Sequence, residues 1–428
     1  MLTRILTNSE ALCTFVDGLG LNLSQPQRGH MLNLADALLV CEDEKTLAGL
    51  QRQFVTAPDA SNMADFLRIS PWSAQAVRNR LRAQQVAWVL AEAERTGAPR
   101  VIYVNLDDSL GVKHPETQHL EPVDWHYDHG ASSGHGQRRY NNAICYLVCT
   151  LRIGQVQATV DLRLYGRAST LRRINRRRTP AQRIGFHSKT MLARQILTAL
   201  APLLPRRGWR IYFQCDAWYA SKRLIKFARR QGWHVTCALR SNRKLGSLNL
   251  RQHAQALRHQ RYTRIAVTVA DGPITYCVRQ VQDHLAGVPG TVRVFISKRQ
   301  PRSQLLLYFA CTDLSLSAQQ ALQGYHGRWS CEMDNFYLKT QLGLADFRVQ
   351  SYEAVDKYLL VVHLAWAYVE RRFSQERCAQ IRCFGDIIRR HRDEHAVRWL
   401  TGALEAVLET GDIQAVLQRF LRQPALAS

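Results

Sequence analysis

Apolar residues recur with a helical period at both ends of the chain, and short apolar runs lie between them. Apolar positions three and four residues apart predict helices over 5–16, 31–41, 73–93 and 354–371. Ser73 follows Pro71 and Trp72 and is a suitable N-cap for the third of these helices. We therefore expect a helical N-terminal region, 1–97, and a helical C-terminal region, 351–428.

The middle of the chain is predicted to consist of strands and connecting helices. Apolar runs bounded by turn residues predict strands over 101–109, 143–151, 155–165, 209–216 and 233–239, with helices over 189–204 and 220–231. The last strand–helix–strand unit favours parallel pairing, because a helical crossover returns the second strand in the same direction. Four more strands, over 261–270, 274–281, 291–297 and 305–311, predict a β-rich insertion at about 245–312.

The order of these elements is similar to that of the ribonuclease-H-like fold. Three strands, a helix, a strand, a helix and a strand precede the insertion, and another helix follows it near Tyr325. We therefore expect an α/β chain with a ribonuclease-H-like catalytic core over 98–350. The β-rich insertion interrupts this core, and the two helical regions flank it.

The charge of the chain is strongly positive and unevenly distributed. Its formal value is +24, which indicates a polyanionic partner. Residues 1–95 hold nine Lys or Arg against ten Asp or Glu, whereas residues 161–310 hold thirty against four. The sequence contains neither a membrane-length apolar run nor a Lys-rich amphipathic helix, so a membrane partner is disfavoured. We expect a cytoplasmic protein that binds nucleic acid through its phosphates.

Two segments are candidates for contact with DNA. A connector in the basic region contains Arg172, Arg173, Arg176, Arg177 and Arg178, and it suits a DNA-tracking loop better than a merely solvated one. Nearer the N-terminus, 65–72 and 77–82 resemble the turn and second helix of a DNA-reading helical pair. Helical pairs are mostly packing units and this region is nearly neutral, so binding of DNA ends by residues 1–97 is the less favoured interpretation.

Carboxylates lie where two of the predicted strands end. Asp107, followed by Asp108, closes the first strand, and Asp216 closes the fourth. The carboxyl ends of parallel strands meet at one edge of a sheet, so we expect these side chains to approach each other. Asp216 is also one of four acids in the basic segment 161–310, where a lone carboxylate hinders DNA binding unless a cation neutralises it. Each acid alone would also serve as a helix cap or a turn residue.

A third carboxylate lies on the helix that follows the insertion. Tyr325, Arg328, Glu332 and Lys339 are spaced so that one face of a single helix would carry all four. Carboxylates bind divalent metals, whereas arginine, lysine and tyrosine bind phosphate oxygens. A solvated face with an Arg328–Glu332 pair explains the same spacing. The three acids together, in this order, favour a site for two Mg²⁺ ions.

These residues resemble those of a known family. The pattern Tyr325-x2-Arg328-x3-Glu332-x6-Lys339 is similar to the Tyr–Arg–Glu–Lys signature of bacterial insertion-sequence transposases with a DDE active site. The stretches Leu106–Ser109, Arg163–Gly166 and Leu239–Arg243 are also similar to that family. The resemblance covers roughly residues 100–350.

The resemblance implies roles for individual residues. Asp107, Asp216 and Glu332 would bind two Mg²⁺ ions, which Mn²⁺ can replace. Asp108 is the alternative first acid, because side chains alternate along a strand and only one of the adjacent pair can face the metals. Tyr325, Arg328 and Lys339 would contact DNA phosphates near the cleaved end. Trp218 or Trp329 would stack on a displaced base, although a buried tryptophan is the commoner case.

The resemblance also implies an activity and partners. It predicts an endonuclease and strand transferase associated with the bacterial nucleoid, which cuts at the terminal inverted repeats of its element and joins the 3′-OH ends to target DNA. The expected partners are double-stranded DNA and a second copy of the chain in a synaptic dimer. Two alternatives fit the same sequence features: a non-catalytic DNA-binding repressor derived from a transposase, and a stand-alone nuclease.

Overall fold

A ten-stranded mixed sheet lies at the centre of the computed structural model, which describes residues 3–128, 140–269, 272–300 and 302–421. The strands along the chain are β1 (Val101–Val112), β2 (Asp124–Tyr127), β3 (Tyr140–Ile153), β4 (Val156–Tyr165), β5 (Arg210–Cys215), β6 (His234–Leu239), β7 (Lys244–Leu245), β8 (Leu248–Asn249), β9 (Thr263–Val269), β10 (Gly272–His284), β11 (Thr291–Lys298) and β12 (Leu307–Cys311). Of these, β7 and β8 form a separate two-stranded sheet.

The strand order confirms the predicted ribonuclease-H-like core. β3 and β4 form the predicted antiparallel hairpin, and β3 also pairs antiparallel with β1. On its other side β1 is parallel to β5, and β5 is parallel to β6. The core therefore has the order β4–β3–β1–β5–β6, with a parallel part whose carboxyl ends share one edge.

The strands predicted for the β-rich insertion are present, but they extend the core sheet. β12 pairs antiparallel with β6, and β11, β10 and β9 follow in turn. Cys311 lies opposite Thr236, so backbone groups that would otherwise form an open sheet edge at β6 are paired with β12. The predicted boundaries hold within a few residues, and Ala270, at the end of the first of these strands, lies outside the described residues.

Helices surround the sheet. They are α1 (Glu10–Gly18), α2 (Gln25–Val40), α3 (Leu47–Gln51), α4 (Ala60–Arg68), α5 (Ala74–Arg95), α6 (Ala168–Asn175), α7 (Lys189–Leu200), α8 (Lys222–Arg230), α9 (Leu250–Ala256), α10 (Ala318–His326), α11 (Ser330–Thr340), α12 (Tyr352–Glu376), α13 (Phe384–Thr410) and α14 (Ile413–Phe420). Short 3-10 turns lie at Pro180–Gln182, Ala201–Leu203 and Gly327–Trp329.

The helix starts follow local capping. Ser73 is the N-cap of α5, as predicted, and its side chain accepts a hydrogen bond from the Ala76 N–H at 3.1 Å. The helix predicted from residue 5 begins only at Glu10, so its first residues were wrongly assigned. Ile5 instead forms a parallel bridge with Phe54, which holds this segment extended.

The N-terminal and C-terminal helices share one hydrophobic core. α12 is buried along most of its length and packs against β4 on one side and against α2, α4 and α13 on others. This burial explains why residues 354–371 are so rich in apolar side chains. The domain limits at 97/98 and 350/351 stay a prediction. No helix among the described residues is long and apolar enough to span a bilayer.

Arginines of α5 face the sheet. Arg82 donates two hydrogen bonds to Oδ2 of Asp161 in β4, one of them at 3.0 Å. Arg78 donates to Asp356 at 2.7 Å, and its side chain, like that of Arg82, is almost fully buried. The burial of these two arginines argues against α5 as a DNA-reading helix. It also gives one of the four acids of the basic segment, Asp161, a structural role.

Candidate active site

Asp107 lies beside Asp216, although the prediction that the first strand closes at Asp107 was wrong: β1 continues to Val112, where it still pairs with β3. In the parallel pairing of β1 with β5, Leu106 lies opposite Cys215, so the next residues of the two strands are neighbours. Asp216 directly follows β5, and its Oδ1 accepts hydrogen bonds from the N–H groups of Trp218 and Tyr219, both at 3.0 Å. The tight turn after β5 therefore fixes the direction of the Asp216 carboxylate.

The segment from Tyr325 to Lys339 forms two helices, so the prediction of a single helix was wrong. α10 ends at His326, a 3-10 turn follows, and α11 begins at Ser330. The guanidinium of Arg152 packs against this turn: a Cβ on Gly327 would lie 1.9 Å from Nη2 of Arg152. The same nitrogen donates to the carbonyl of Gly324 at 3.4 Å, at the end of α10.

Arg328 joins two of the predicted acids. Its Nη1 donates to Oδ2 of Asp107 at 2.5 Å, and its Nη2 donates to Oε1 of Glu332 at 2.8 Å. The Arg328 side chain is 14% exposed and that of Glu332 is 46% exposed. One buried guanidinium thus places the carboxylates of β1 and α11 on the same side of the sheet edge, with Glu332 partly open to solvent.

Asp108 points to different partners. Nζ of Lys189 donates to Oδ2 of Asp108 at 2.5 Å, and Sγ of Cys145 lies 3.5 Å from the same oxygen. Asp107 is therefore the acid of the adjacent pair that shares a partner with Glu332. Lys189 was not singled out in the sequence. The sequence feature that could have identified Lys189 is its place in the first turn of a predicted helix, where the helix dipole disfavours a cation.

The electrostatics of the edge suit a bound cation. Burial and the charges of Asp216 and Asp108 raise the pKa of Asp107 to about 7, although Arg328 lowers it. Burial and the charge of Asp108 also raise the pKa of Asp216. A divalent ion between these carboxylates would relieve both effects, and oxygen donors of this kind suit Mg²⁺.

The carboxylates of Asp107, Asp216 and Glu332 are not arranged here so that all three could bind one metal ion. Among the described residues, three ligating atoms all within 4.8 Å of one another occur in a different cluster, formed by Asp36, His391 and His395. Arg328 stands between Asp107 and Glu332. The half-exposed Glu332 side chain would have to leave Arg328 to share an ion with Asp107 and Asp216.

Tyr325 and Lys339 lie near the same edge. The hydroxyl of Tyr325 donates to the carbonyl of Cys215 at 3.3 Å, and its ring lies 5.0 Å from that of Phe309. Tyr325 thus supports the residue that precedes Asp216. Burial lowers the pKa of Lys339, although the charge of Asp128 raises it. Contact of either side chain with DNA stays a prediction.

The arginine-rich connector divides into two groups. Arg172 and Arg173 lie on α6, Arg176 and Arg177 follow it, and all four side chains are exposed. Arg173, Arg176 and Arg177 line a cleft of about 1060 Å³, to which Arg68 and Arg348 also contribute.

Arg178 is engaged within the protein. It forms ion pairs with Glu353 and, at 2.8 Å, with Glu121. This arginine therefore ties the connector to α12 and to the loop before β2.

Both tryptophans considered as stacking residues are exposed. Trp218, two residues after Asp216, is 48% exposed, and Trp329, next to Arg328, is 49% exposed. The guanidinium of Arg240 lies 5.2 Å from the Trp218 ring. The buried environment that is commoner for tryptophan is therefore not found at either residue.

Asp334, two residues after Glu332, faces the opposite side of α11. It is fully buried and accepts hydrogen bonds from Gln157 at 2.5 Å and from Thr159 at 3.4 Å. Burial raises the pKa of Asp334 to about 7 and the pKa of the neighbouring Glu370 well above its ordinary value. These acids anchor α11 to β4 and α12 in their protonated forms.

Asp334 gives a pH-dependent stability. Between about pH 4 and pH 7 the folded chain keeps a proton that the unfolded chain has lost, so the free energy of unfolding falls as the pH rises. Asp334→Asn mimics the protonated form and is expected to flatten this part of the profile, measured by urea unfolding at pH 5 and pH 8. An unchanged difference between the two pH values would contradict the assignment. Asp393→Asn, at an exposed position of α13, is the control.

Comparison with known proteins gives the family. The sequence profile of the DDE superfamily endonuclease family matches residues 15–281, well over half of the chain. The matched part contains Asp107 and Asp216, and Glu332 lies beyond it. A search among curated proteins finds no significant match. Because this profile covers more than half of the chain, the chain belongs to the DDE superfamily endonucleases.

Proposed function

We propose that this endonuclease is a transposase that cuts at the terminal inverted repeats of its own element and joins the 3′-OH ends to target DNA. The observation that supports the proposal most strongly is the meeting of Asp107, Asp216 and the Arg328–Glu332 pair at one sheet edge of a chain with net charge +24. Phosphodiester chemistry needs carboxylates for metal and cations for phosphate, and this edge offers both.

Each residue has a role in this proposal. Asp107, Asp216 and Glu332 would hold two Mg²⁺ ions, or Mn²⁺ in their place. When bound, such ions lower the pKa of an attacking water or hydroxyl and stabilise the leaving oxygen. Arg328 leaves Glu332 and turns its guanidinium to a DNA phosphate, which it can bind through two parallel hydrogen bonds.

Neighbouring residues would shape the DNA path. Tyr325 keeps the end of β5 in place through its hydrogen bond to the Cys215 carbonyl, and it would contact a DNA phosphate near the cleaved end. Lys339 would contact a phosphate further along the strand. Trp218 and Trp329 would stack on bases displaced at the cut, since both rings are exposed close to the acids.

The test is a reaction with a plasmid that carries the DNA flanking the gene on both sides. Purified chain with Mg²⁺ is expected to produce cuts with 3′-OH groups at the repeat ends, and then joined products in a second plasmid. Cutting without joining would support a stand-alone nuclease instead. Binding to the repeats without any cutting in Mg²⁺ or Mn²⁺ would support the repressor.

We also propose that the exposed arginines of the connector bind DNA phosphates outside the site of cleavage. Replacing Arg172, Arg173, Arg176 and Arg177 with Gln is expected to weaken DNA binding and to reduce the slope of log Kd against log salt. Each lost phosphate contact removes about 0.9 from that slope. Fluorescence anisotropy with a labelled duplex at several salt concentrations measures it.

A control is provided by other exposed arginines of the basic segment. The double variant Arg206→Gln, Arg207→Gln, in the loop before β5, removes two exposed charges from a different surface, and the matching double variant of the connector is Arg176→Gln, Arg177→Gln. An equal loss of slope in both sets of variants would show that only overall charge matters, contrary to the proposal.

We propose that a second copy of the chain covers an apolar stripe on the C-terminal helices. Val397, Leu400, Leu404 and Leu408 lie three or four residues apart on α13 and are between 55% and 85% exposed. Such a stripe on one helix face is typical of a helix-packing surface. A self-complementary contact through it would form the dimer expected of a synaptic complex.

The oligomeric state tests this surface. Leu404→Glu with Leu408→Glu is expected to raise the dimer Kd at least tenfold, about 1.4 kcal/mol, in sedimentation equilibrium. Leu305→Glu, at a residue that is 70% exposed elsewhere, should leave the Kd unchanged. A dimer of undiminished affinity in the double variant would rule out this interface.

A further inference from the structure

A second cluster of potential metal ligands lies apart from the DDE acids, between α2 and α13. Asp36 on α2 is enclosed by His391 and His395 of α13. Nε2 of His391 lies 2.7 Å from Oδ1 of Asp36, and Nε2 of His395 lies 2.8 Å from the same oxygen. All three side chains are at most 1% exposed. The cluster thus joins the N-terminal and C-terminal helices, across 359 residues of sequence.

The spacing and direction of these side chains are those of metal ligands. His391 and His395 are separated by one helical turn, so both rings project from the same face of α13, as in helical zinc-binding pairs. Both rings direct the same nitrogen, Nε2, to the same carboxylate oxygen, Oδ1 of Asp36. The three ligating atoms lie within 4.8 Å of one another, a separation that one ion can bridge.

Surrounding groups hold the ligands in this direction. The N–H of Ser9 donates to Oδ2 of Asp36 at 2.8 Å, which leaves Oδ1 directed at the histidines. Nδ1 of His391 lies 3.3 Å from the hydroxyl of Tyr368, and that hydroxyl accepts a hydrogen bond from Arg372 at 3.0 Å. Outer contacts of this type orient the ring of a metal-bound histidine.

We propose that Asp36, His391 and His395 bind one Zn²⁺ ion that joins α2 to α13. Two imidazole nitrogens and one carboxylate oxygen suit Zn²⁺, whereas Mg²⁺ prefers oxygen ligands alone. The ion is structural in this position: it joins two ends of the chain within their common core and takes no part in the reaction at the DDE acids. The site is independent of the proposed transposase activity.

Metal content of the full chain tests the site. The chain carries Asp216→Asn and Glu332→Gln, so that the DDE acids do not contribute, and it is freed of metal with a chelator. Addition of Zn²⁺ alone is expected to leave one equivalent bound after gel filtration and to raise the Tm by several degrees. Co²⁺ in its place should give a visible d–d absorption band, and X-ray absorption of the zinc form should show two imidazoles.

Matched variants complete the test. His395→Gln is expected to lose the bound zinc and the shift in Tm. His363→Gln, at another fully buried histidine that contacts the Thr159 carbonyl, should keep one equivalent. The proposal is overturned if the parent chain is folded but holds no zinc and shows no shift in Tm, or if a folded His395→Gln variant still holds one equivalent. If His395→Gln does not fold, the proposal is tested by the zinc content and the X-ray absorption of the parent chain.

Discussion

Asp216→Asn is expected to reduce DNA cleavage by about a thousandfold or more while leaving DNA binding intact. Asp216, directly after β5, lies beside Asp107 of β1, and burial raises the pKa of both carboxyl groups. Loss of a charged metal ligand removes several kcal/mol of transition-state stabilisation, and each 1.36 kcal/mol is a factor of ten in rate. Cutting of the repeat-bearing plasmid under single-turnover conditions measures the effect.

Asparagine is the informative replacement, because it keeps the fold of the turn. Its Oδ1 can still accept from the N–H groups of Trp218 and Tyr219, so only charge and metal ligation are lost. Asp283→Asn removes an acid from the same basic segment, in β10, and should cut at the parent rate. A rate for Asp216→Asn within tenfold of the parent would show that this acid is not part of the active site.

Asp161→Asn is expected to lower the free energy of unfolding by about 3–5 kcal/mol, because it leaves buried arginines without their counterion. Asp161 is fully buried and accepts hydrogen bonds from Arg82 and, at 2.9 Å, from Arg163. Arg78 lies 4.0 Å away. Burial raises the pKa of Asp161, but the charges of these arginines lower it by a larger amount. The net pKa therefore lies below the ordinary value, and the acid is ionised. Urea unfolding at pH 7 measures the loss.

An exposed pair of the same type provides the control. Asp17 accepts hydrogen bonds from Arg28 at 2.5 and 2.7 Å, but half of its side chain is open to solvent. Asp17→Asn should therefore cost no more than about 1 kcal/mol. If Asp161→Asn destabilised the chain no more than Asp17→Asn does, Asp161 would not have the structural role as counterion of buried arginines that its contacts indicate.

Local patterns were sufficient to predict the core. The apolar runs that became β1, β3, β4, β5 and β6 are short and bounded by turn residues, so both their existence and their order followed from sequence. Ser73 marked the start of α5 because its hydroxyl satisfies a helix N–H within three residues. The approach of Asp107 to Asp216 followed from the general rule that parallel strands end at one edge.

Contacts between distant segments account for what the sequence did not predict. Arg152 of β3 packs against Gly327 between α10 and α11, a contact that the local sequence of neither segment indicates. β12 could not be assigned to the core sheet from its own sequence, because pairing with β6 depends on an open edge more than sixty residues away. Asp36 has no local pattern at all, and its histidines reach it only because α2 and α13 pack together.

The arrangement of the acids is tested most directly by the position of manganese in crystals. Crystals of the chain grown with Mn²⁺ and a duplex of its terminal repeat would reveal each ion by anomalous scattering. We predict two peaks about 3.5–4 Å apart, bounded by Asp107, Asp216 and Glu332, with Glu332 released from Arg328. Manganese held by Asp108 instead, or no manganese at these carboxylates while Arg328 still binds Asp107 and Glu332, would contradict the proposed active site.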